Sequence, residues 1–492
     1  MKLRRSARRV LPRYGGIGTA KSVRRGGAVA LRMLVAAVTA AVLGVTAGCT
    51  SDDPGPAAPT TPSATGSATT SPIPSASPEP VELEVAVYGE APKLRAYQRI
   101  ARAFTRQRPG VSLELQTFPD ATTAAAAAVA ELPTGEGPDV FLADQFALPD
   151  LVATGRLQPV DTMLEDRGLP FGDEYQRSGL ETFSALNRLQ CMPAEMSPIV
   201  VYVNTRLVPR RSIRDGDVGL PTVRQPTWGW LDFLAAARIA ASSDLLGPVK
   251  GAAVPVDLDT LTAFVRSAGS EAVDDVLEPT SLTLASDDAV AALASVLSVA
   301  GDPSLSPTAE ELRRRDAVAR FASGELGMFI GTRADVARLR AAEGLRFDVW
   351  PLPSFGRARV VAETNGFCID SASDAVDAAA DFVAFAVGSR GAGIAARSGV
   401  MVPSLLAAIH QDSFLQRDEQ PRSAEMYAVS LRRTDPMPYS AAWPEVSAIA
   451  DRVLRRLLDE PPADLLTLLQ ERMTRLDRRS ERLFAQAATS EG

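Results

Sequence analysis

The side chains that most often carry enzyme or metal chemistry are scarce in this sequence. His410 is the single histidine, so a zinc motif of the H-E-x-x-H kind is impossible, and no G-x-S-x-G pattern offers a nucleophile for it. We expect His410 at the surface or at a helix end. The phosphate-binding patterns G-x-x-x-x-G-K-[ST] and G-x-G-x-x-G after a strand are also missing. Carboxylates are plentiful, but no spacing singles out a catalytic pair. We therefore expect no enzyme activity, no metal and no cofactor.

The first cysteine, Cys49, follows a basic segment and an apolar run, MLVAAVTAAVLGVTAG. This is the layout of a secretory signal, and the run is shorter than the roughly 20 residues that a membrane-spanning helix needs. The stretch TAGC, Thr46 to Cys49, resembles a bacterial lipobox, although Thr46 stands where Leu or Val is more usual. The resemblance implies that residues 1–48 are a lipoprotein signal peptide and that Cys49 is diacylated. The alternative is a plain secretory signal with a chance cysteine.

The next segment cannot bury enough surface to fold. Of the 31 residues from Thr50 to Pro80, eight are Pro and twelve are Ser or Thr. We expect residues 49–80 to be a disordered tether. Charge is also uneven: ten of the 52 basic residues lie in residues 1–48, so the remainder carries 42 basic against 59 acidic groups, a net charge of −17. Such an acidic body is not expected to bind nucleic acid.

From Val81 onward, strand patterns alternate with helix patterns. VELEVAVYGE, VSLELQTF and GPDVFLAD are typical of strands, and between them APKLRAYQRIARAFTRQ and DATTAAAAAVAEL predict helices, the second capped by Asp120. Further on, single helices are predicted for TWGWLDFLAAARIAASS, DDAVAALASVLSVA, AEELRRRDAVARFASG, AVDAAADFVAFAVGS and EVSAIADRVLRRLLDE, and strands for PIVVYVNT, LGMFIG, RFDVWPLP and TNGFCIDS. This alternation indicates an α/β protein with parallel sheet.

The other two cysteines, Cys191 and Cys368, lie in the β-like segments LQCMPAEM and GFCIDS. A disulfide between them is one interpretation, because an exported body permits oxidation. Two buried free thiols are the other, since Cys packs well as a small apolar residue.

The segment GPDVFLADQFALPDLVATGRLQPVD resembles the extracellular solute-binding proteins of ABC importers, family 1, the maltose-binding-protein-like group. The matching features are Pro138–Asp139–Val140, then a pocket loop at Asp144, then Leu151, Gly155, Leu157 and Pro159. Further stretches resemble the family in the same order: MPAEMSPIVVYVNTRLV, QPTWGWLDFLAAARIA, FASGELGMFIGTRADVARL, RFDVWPLPSFG, ETNGFCIDSAS, AAADFVAFAVGS and SGVMVPSLLAA. The resemblance covers residues 81 to about 478.

The resemblance implies a two-lobed periplasmic-binding-protein-like α/β fold of type II, with lobes joined by crossing hinge segments. The first lobe is expected to contain residues 81–190 and about 369–415, and the second lobe residues 191–368 and about 416–492. The crossings are then expected near Cys191–Glu195 and Asn365–Ile369, which would put a Cys191–Cys368 disulfide at the hinge.

The resemblance also implies a ligand cleft lined by loops at strand ends. The expected ligand contacts are Tyr88, Glu90, Asp144, Gln145, Glu195, Trp230, Thr332, Arg333, Glu363 and Asn365. Aromatic residues make up only 6% of the chain. The ligand class therefore stays open among a short oligosaccharide, a polyol and an osmolyte, with a degenerate pocket as a further interpretation.

These features predict a monomeric lipoprotein on the outer face of a bacterial cell membrane. It would bind a small polar solute, with carbohydrate favoured, and deliver it to ABC permease subunits that work with a cytoplasmic ATPase. One alternative is a sensor or scaffold lipoprotein that keeps the fold without a transport ligand. Another is an extracellular glycoside hydrolase, which would need a carboxylate pair within about 10 Å across a cleft.

Overall fold

The computed structural model describes residues 80–169, 171–209, 219–243, 248–459 and 464–490. The expected signal peptide, Cys49 and the tether up to Glu79 lie outside the described residues. Within the described ranges, no helix has both the length and the apolar character that crossing a bilayer requires.

The described residues form a mixed α/β architecture, as the alternating patterns predict. The strands are β1 Val81–Tyr88, β2 Val111–Phe118, β3 Val140–Asp144, β4 Ser184–Ala185, β5 Arg188–Leu189, β6 Met192–Pro198, β7 Val200–Asn204, β8 Lys250–Ala253, β9 Leu326–Gly331, β10 Phe347–Trp350 and β11 Ala362–Ile369. The helices are α1 Ala91–Gln107, α2 Ala121–Glu131, α3 Leu148–Ala153, α4 Asp161–Asp166, α5 Phe171–Glu174, α6 Arg177–Thr182, α7 Trp230–Ala241, α8 Leu258–Ala268, α9 Asp287–Ala300, α10 Ala309–Arg314, α11 Ala317–Ala322, α12 Val336–Arg340, α13 Val376–Val387, α14 Ser389–Arg397, α15 Asp412–Leu415, α16 Glu425–Leu431, α17 Trp443–Asp459 and α18 Leu465–Ser490. Short 3₁₀ turns occur at Leu132–Thr134, Arg333–Asp335 and Ala408–His410.

The first lobe is built on a five-stranded sheet in the order β2-β1-β3-β11-β6. Strands β1, β2 and β3 are parallel, whereas β11 runs antiparallel to both of its neighbours. Helix α1 buries one face, including Tyr97, Ile100 and Phe104, against this sheet. Helix α2 begins as predicted at Asp120, whose carboxylate accepts a hydrogen bond from the Thr123 N–H at 2.8 Å. The parallel strands therefore end on one edge of the sheet, where polar side chains can gather.

The second lobe is built on a four-stranded sheet in the order β10-β7-β9-β8. Strand β7 is buried on both faces: Val201 and Val203 join one apolar core, while Val200 and Tyr202 join another. This explains its continuous apolar sequence, which is typical of a central strand.

Three backbone segments connect the two lobes side by side. The chain leaves the first sheet between β6 and β7 at Ile199, whose N–H donates to the Val361 carbonyl at 3.1 Å. It returns through the segment before β11, where the Val360 N–H donates to the Arg433 carbonyl at 3.0 Å. Arg433 belongs to the third connecting segment. The expected crossings near 191–195 and 365–369 are therefore displaced, because β6 and β11 pair with each other as full members of the first sheet.

One predicted helix is divided in two. AEELRRRDAVARFASG forms α10 and α11, because Arg315 is extended and the Asp316 carboxylate accepts a hydrogen bond from the Ala319 N–H at 2.6 Å. An aspartate with helical residues on both sides can act as a cap, and here that role outweighs helix continuity. His410 is exposed at the end of a 3₁₀ turn, which confirms its expected placement.

Cys191 and Cys368 form a disulfide, and both side chains are buried. Cys191 directly precedes β6 and Cys368 lies within β11, so the bond joins two neighbouring segments of the first lobe. The expected position at the hinge is therefore corrected, because the bond fixes the strands that lead into the crossings without spanning the lobes.

Replacing both cysteines, Cys191→Ser with Cys368→Ser, should lower the free energy of unfolding by about 2–5 kcal/mol, because the bond closes a long loop of the unfolded chain. Denaturant unfolding followed by circular dichroism measures the change. Adding reductant should destabilise the unmodified protein but leave the double variant unchanged. Thiol titration of the denatured, unreduced full chain should find at most one thiol, that of Cys49; finding three would contradict the bond.

Candidate functional site

Four strands of the first sheet place polar side chains side by side at the edge that faces the second lobe. In the register of the sheet, Asn365 of β11 lies opposite Asp144 of β3 on one side and Glu195 of β6 on the other. Tyr88 is the last residue of β1, which pairs with β3. Directly opposed residues in a sheet have neighbouring side chains, so this register collects four of the ten expected contacts.

Asn365 is the centre of the hydrogen bonds at this edge. Its Nδ2 donates to Glu195 Oε1 at 2.7 Å, and its Oδ1 accepts a short hydrogen bond from the Tyr88 hydroxyl. All three side chains are buried, and Glu195 is only 3% exposed. Burial, followed by the negative charges of Asp144, Glu195 and Glu363, raises the pKa of Tyr88 well above its ordinary value, so its hydroxyl remains a donor.

Lys93 is a fifth polar side chain at this edge, and it was not among the contacts expected from the sequence. Its Nζ forms an ion pair with Glu195 Oε1 and lies 4.7 Å from the centre of the Tyr88 ring. The side chain is 18% exposed. The signal was present: Lys93 is one of four lysines in the chain and lies in the first turn of α1, where the helix dipole disfavours a cation.

Tyr97 lies one helical turn after Lys93, on the same face of α1. Its hydroxyl is buried and has no hydrogen-bond partner among the described residues. Burial, together with the charges of Glu195 and Tyr88, raises the pKa of Tyr97 well above its ordinary value. A spare hydrogen-bond donor therefore lies close to Glu195. We call Tyr88, Lys93, Glu195 and Asn365 the polar floor.

The loop after β3 forms one wall beside the polar floor. Asp144 is half-buried and accepts a hydrogen bond from the Ala147 N–H at 2.9 Å, and burial raises its pKa. The Gln145 N–H donates to the Thr364 carbonyl at 3.0 Å, which fixes the loop to β11. Phe146 packs against the core of the second lobe. This loop thus links the polar floor to the opposite lobe.

Glu363 lies two residues from Asn365 on β11, and therefore on the same face of the strand. Its side chain is exposed to water, although protein atoms lie on several sides of it. The surrounding protein partly desolvates the carboxylate, which raises the pKa of Glu363 to about 7.

The second lobe contributes the turn after β9. The Thr332 N–H donates to Asp335 Oδ2 at 3.0 Å, and the Thr332 carbonyl accepts from the Tyr202 hydroxyl at 2.5 Å. Burial raises the pKa of Asp335 to about 6, and the charge of Glu90 adds to the rise. Glu90 is exposed at the start of α1. The negative charges of Glu90 and Asp335, which belong to different lobes, therefore act on each other.

Arg333 does not reach this site, in contrast to the expectation. It is 1% exposed, stacks on the Phe414 ring at 3.7 Å, and donates from Nη2 to the Phe414 carbonyl at 2.6 Å. Burial lowers its pKa to about 10, so it remains charged at neutral pH. The aromatic rings of Phe414 and Tyr427 hold the guanidinium in the core beside the hinge.

Trp230 is also placed away from the site. Its ring is buried in the second lobe, where Phe233 and Phe355 stack on it at centroid distances of 5.1 and 5.2 Å, and Phe264 packs edge-on. It begins α7 and has its backbone N–H bonded to Ser354. The expected stacking on a sugar is therefore corrected to a packing role.

Within the described residues, no group of His, Cys, Asp and Glu side chains is arranged to hold a metal ion. A crevice lies beside α3, the helix that follows the β3 loop. It has a volume of about 940 Å³ and is lined from both lobes, by α3 and α6 on one side and by Leu277 and Tyr439 on the other. The polar floor is not part of its lining.

Two α/β lobes with a polar floor between them define a solute-binding architecture. Residues 89–393 match the family described as bacterial extracellular solute-binding protein, and this match covers more than half of the chain. The protein belongs to this family.

Solved structures share the fold. The ABC substrate-binding protein Lmo0181 from Listeria monocytogenes, in complex with cycloalternan, is similar with a TM-score of 0.68 and 17% identity, over 82% of this chain and 99% of that one. Maltose-bound MalE3 from T. maritima is similar with a TM-score of 0.66 and 17% identity, over 82% of this chain and 100% of that one. UgpB from Mycobacterium tuberculosis, in complex with glycerophosphocholine, has a TM-score of 0.67 and 18% identity, over 83% of this chain and 98% of that one. No curated protein matches in sequence.

The ion pair between Lys93 and Glu195 should stabilise the fold, because each side chain neutralises the charge of the other. Lys93→Met alone should be destabilising, because it leaves Glu195 buried without its cation. A double-mutant cycle with Glu195→Gln, followed by denaturant unfolding, should give a coupling energy of about 1–3 kcal/mol. The control pair is the exposed Arg177–Glu181, which should couple by less than about 0.5 kcal/mol. Equal coupling energies for both pairs would contradict a partly buried, structural ion pair.

Proposed function

We propose that this protein is the solute-binding component of an ABC importer, anchored by lipid to the outer face of a bacterial cell membrane. The observation that carries the proposal is the polar floor, which a defined strand register assembles at the sheet edge facing the second lobe. Membership of the solute-binding family supports it.

Binding would proceed by closure of the lobes on the solute. A ligand that contacts both lobes only when they are closed shifts the equilibrium towards closure by its differential affinity. The three adjacent connections at Ile199, Val360–Val361 and Arg433–Thr434 provide a narrow region about which the lobes can pivot. The closed, loaded form would then be recognised by two permease subunits, and the body itself would carry out no covalent step.

The proposed solute is a small polar molecule rich in hydroxyl groups, with carbohydrate favoured. Carboxylate oxygens of Asp144 and Glu363 and the amide of Gln145 can accept hydrogen bonds from hydroxyls, and Lys93 has further N–H donors beside its ion pair. Solved relatives of the fold bind cycloalternan and maltose, which supports this class.

Purified protein should gain thermal stability with at least one member of a panel of sugars, amino sugars, polyols and amines. A solute present at a hundred times its Kd should add about 2.7 kcal/mol to the free energy of unfolding. Small-angle scattering should show a smaller radius of gyration in the bound form. Asn365→Ala should abolish the ligand-induced shift, whereas Trp230→Phe should retain it. A complete lack of ligand-induced stabilisation would favour the sensor or scaffold alternative.

Lipid attachment at Cys49 is the proposed anchor, since one acylated residue tethers a protein without a spanning helix. Its position directly after an apolar run, and before a Pro/Ser/Thr-rich segment, supports this role. The tether would hold the binding body away from the membrane surface.

Cells that express the protein should incorporate a labelled fatty acid into it, and Cys49→Ser should remove the label. The control variant Cys191→Ser with Cys368→Ser should stay labelled, because its lipid-bearing cysteine is intact. Gel fluorescence after purification under denaturing conditions measures the label. An unlabelled parent protein that is secreted free into the medium would overturn the anchor.

A further inference from the structure

We infer that the outer face of α1 docks on the anionic headgroups of the membrane to which the chain is tethered. This face is defined by four residues that we call the arginine stripe: Arg95, Arg99, Arg102 and Arg106. The inference rests on the proposed lipid anchor at Cys49, because the anchor brings this surface close to a bilayer. It is carried by the spacing of the arginines, by their lack of partners and by the place where β1 begins.

The arginine stripe runs along one side of α1. Its members follow one another at intervals of four, three and four residues, which places them within about one sixth of the circumference of an α-helix. They lie opposite Tyr97, Ile100 and Phe104, which are buried against the sheet. All four arginine side chains are exposed. The stripe extends about 16 Å along the helix, at a rise of about 1.5 Å per residue.

No acid of α1 neutralises the arginine stripe, because the helix contains no Asp or Glu. None of the four guanidinium groups has a hydrogen-bond or ion-pair partner among the described residues. In α18, by contrast, Arg475 pairs with Glu471 one turn earlier. The residue four positions before Arg99, and likewise before Arg106, is itself an arginine, and like charges at this spacing disfavour a helix. The stripe therefore weakens α1, which points to a use outside the folded body.

Strand β1 begins beside the end of α1 that carries Arg106. The Val81 N–H donates to the Gly110 carbonyl at 2.9 Å, and Gly110 lies three residues after the end of α1. Between Cys49 and Val81 there are 31 residues. A flexible chain of this length would have an end-to-end distance of roughly 30 Å and would reach about 100 Å when fully extended. A lipid on Cys49 would therefore keep the arginine stripe within reach of the bilayer.

The basic surface continues onto a neighbouring helix at this end of α1. Arg390 of α14 is exposed and donates from Nη1 to Gln107 Oε1 at 3.2 Å. The acid that lies closest in these ion pairs is already compensated, since Asp381 pairs with Arg108 at 3.0 Å and with Arg167 at 2.7 Å. The positive charge of the arginine stripe is thus extended towards the start of β1.

A phospholipid surface fits the arginine stripe better than a protein does. Guanidinium groups bind phosphates through paired N–H donors, and an anionic bilayer attracts basic side chains near it. A protein partner ordinarily buries apolar anchors at the centre of its interface, whereas the other exposed residues of α1 are Ala91, Gln98 and Gln107. The net charge of −17 after residue 48 does not prevent docking, because salt screens charges more than about 8 Å away.

Docking through this face would also orient the body. Glu82 and Glu84 of β1 are exposed acids, and an anionic surface repels them. Lys93, which binds Glu195 of the polar floor, lies on the side of α1 opposite to the arginine stripe. The bilayer would therefore approach α1 from the side that does not carry the polar floor.

The test uses the full chain, purified from membranes of cells that express it and reconstituted into vesicles. A donor dye is attached through Gln98→Cys, at an exposed position of α1 beside the stripe, and its location is verified by mass mapping. An acceptor dye is attached to lipid headgroups. Energy transfer should be at least about twofold higher in vesicles with about one third phosphatidylglycerol than in pure phosphatidylcholine at about 0.1 M salt. The difference should vanish at about 1 M salt, where the screening length is about 3 Å.

The stripe variant carries three substitutions: Arg99→Gln, Arg102→Gln and Arg106→Gln. It should lose at least about four fifths of the lipid-dependent difference in transfer, and its melting temperature should stay the same or rise, because like-charged neighbours are removed. The matched control removes the same charge from exposed positions of α18: Arg472→Gln, Arg478→Gln and Arg482→Gln. This control should keep the full difference.

Equal transfer from the unmodified stripe in both kinds of vesicle would overturn the inference and would leave an acidic protein as the partner of the stripe. Loss of the difference in the α18 control would also overturn it, because net charge and not the stripe would then be responsible. Neither result would affect the proposed function, since fatty-acid labelling at Cys49 is measured separately. An unlabelled chain that associates with neither kind of vesicle would overturn the anchor and the inference together.

Discussion

The amide of Asn365 is the constraint on which the polar floor depends. One side chain satisfies a hydroxyl from β1 through its oxygen and a carboxylate from β6 through its nitrogen. This works only if β11 lies between β3 and β6 in the observed register, since a slip by one residue would turn Asn365 to the other face of the sheet. The register shift after Asn365 brings Gly366 against the Phe183 ring, where any side chain would need Phe183 to give way. The hydrogen bonds of Asn365 therefore require the observed backbone path of β11, and this path in turn favours those hydrogen bonds.

The strands that carry the polar floor are also the strands that lead to the hinge. Glu195 lies four residues before the crossing at Ile199, and Glu363 lies two residues after Val361. The buried Cys191–Cys368 bond holds the far ends of the same two segments together. A rigid strand pair of this kind transmits a change at the polar floor directly to the crossing. If the solute binds there as proposed, it would bias the angle between the lobes without any rearrangement within the first sheet.

The sequence was informative where one local signal decides the structure. The periodicity of β1 and α1, the Asp120 cap and the apolar run of β9 predicted their elements closely. Family resemblance also selected Tyr88, Asp144, Glu195 and Asn365 as ligand contacts, and the register brings these four side chains to one edge. Their contact with a ligand stays a prediction, and the resemblance did not reveal the hydrogen bonds among them.

The errors arose where tertiary context decides. Trp230 and Arg333 have side chains suited to ligands, but their backbone positions direct them into aromatic clusters that exclude water. Lys93 was overlooked because a lysine in a helix is ordinarily a solvated surface residue. The crossings were misplaced because pairing of β6 with β11 depends on strands distant in the chain. No local pattern encodes these partners, and only the folded register brings them together.

The acidic residues of the two lobes also disfavour closure of the lobes without a bound solute. Glu90 and Glu363 belong to elements of the first lobe, and Asp335 and Asp257 belong to the second. Closing the lobes without a ligand would bring these like charges together while removing the water that screens them, which raises the free energy of the closed state. A solute that bridges or neutralises the acids removes that penalty, so it changes the open–closed equilibrium by more than its direct contacts alone would do. In the proposed role as the receptor of an importer, this would be an advantage, because the closed form would then report a bound solute and not a random fluctuation.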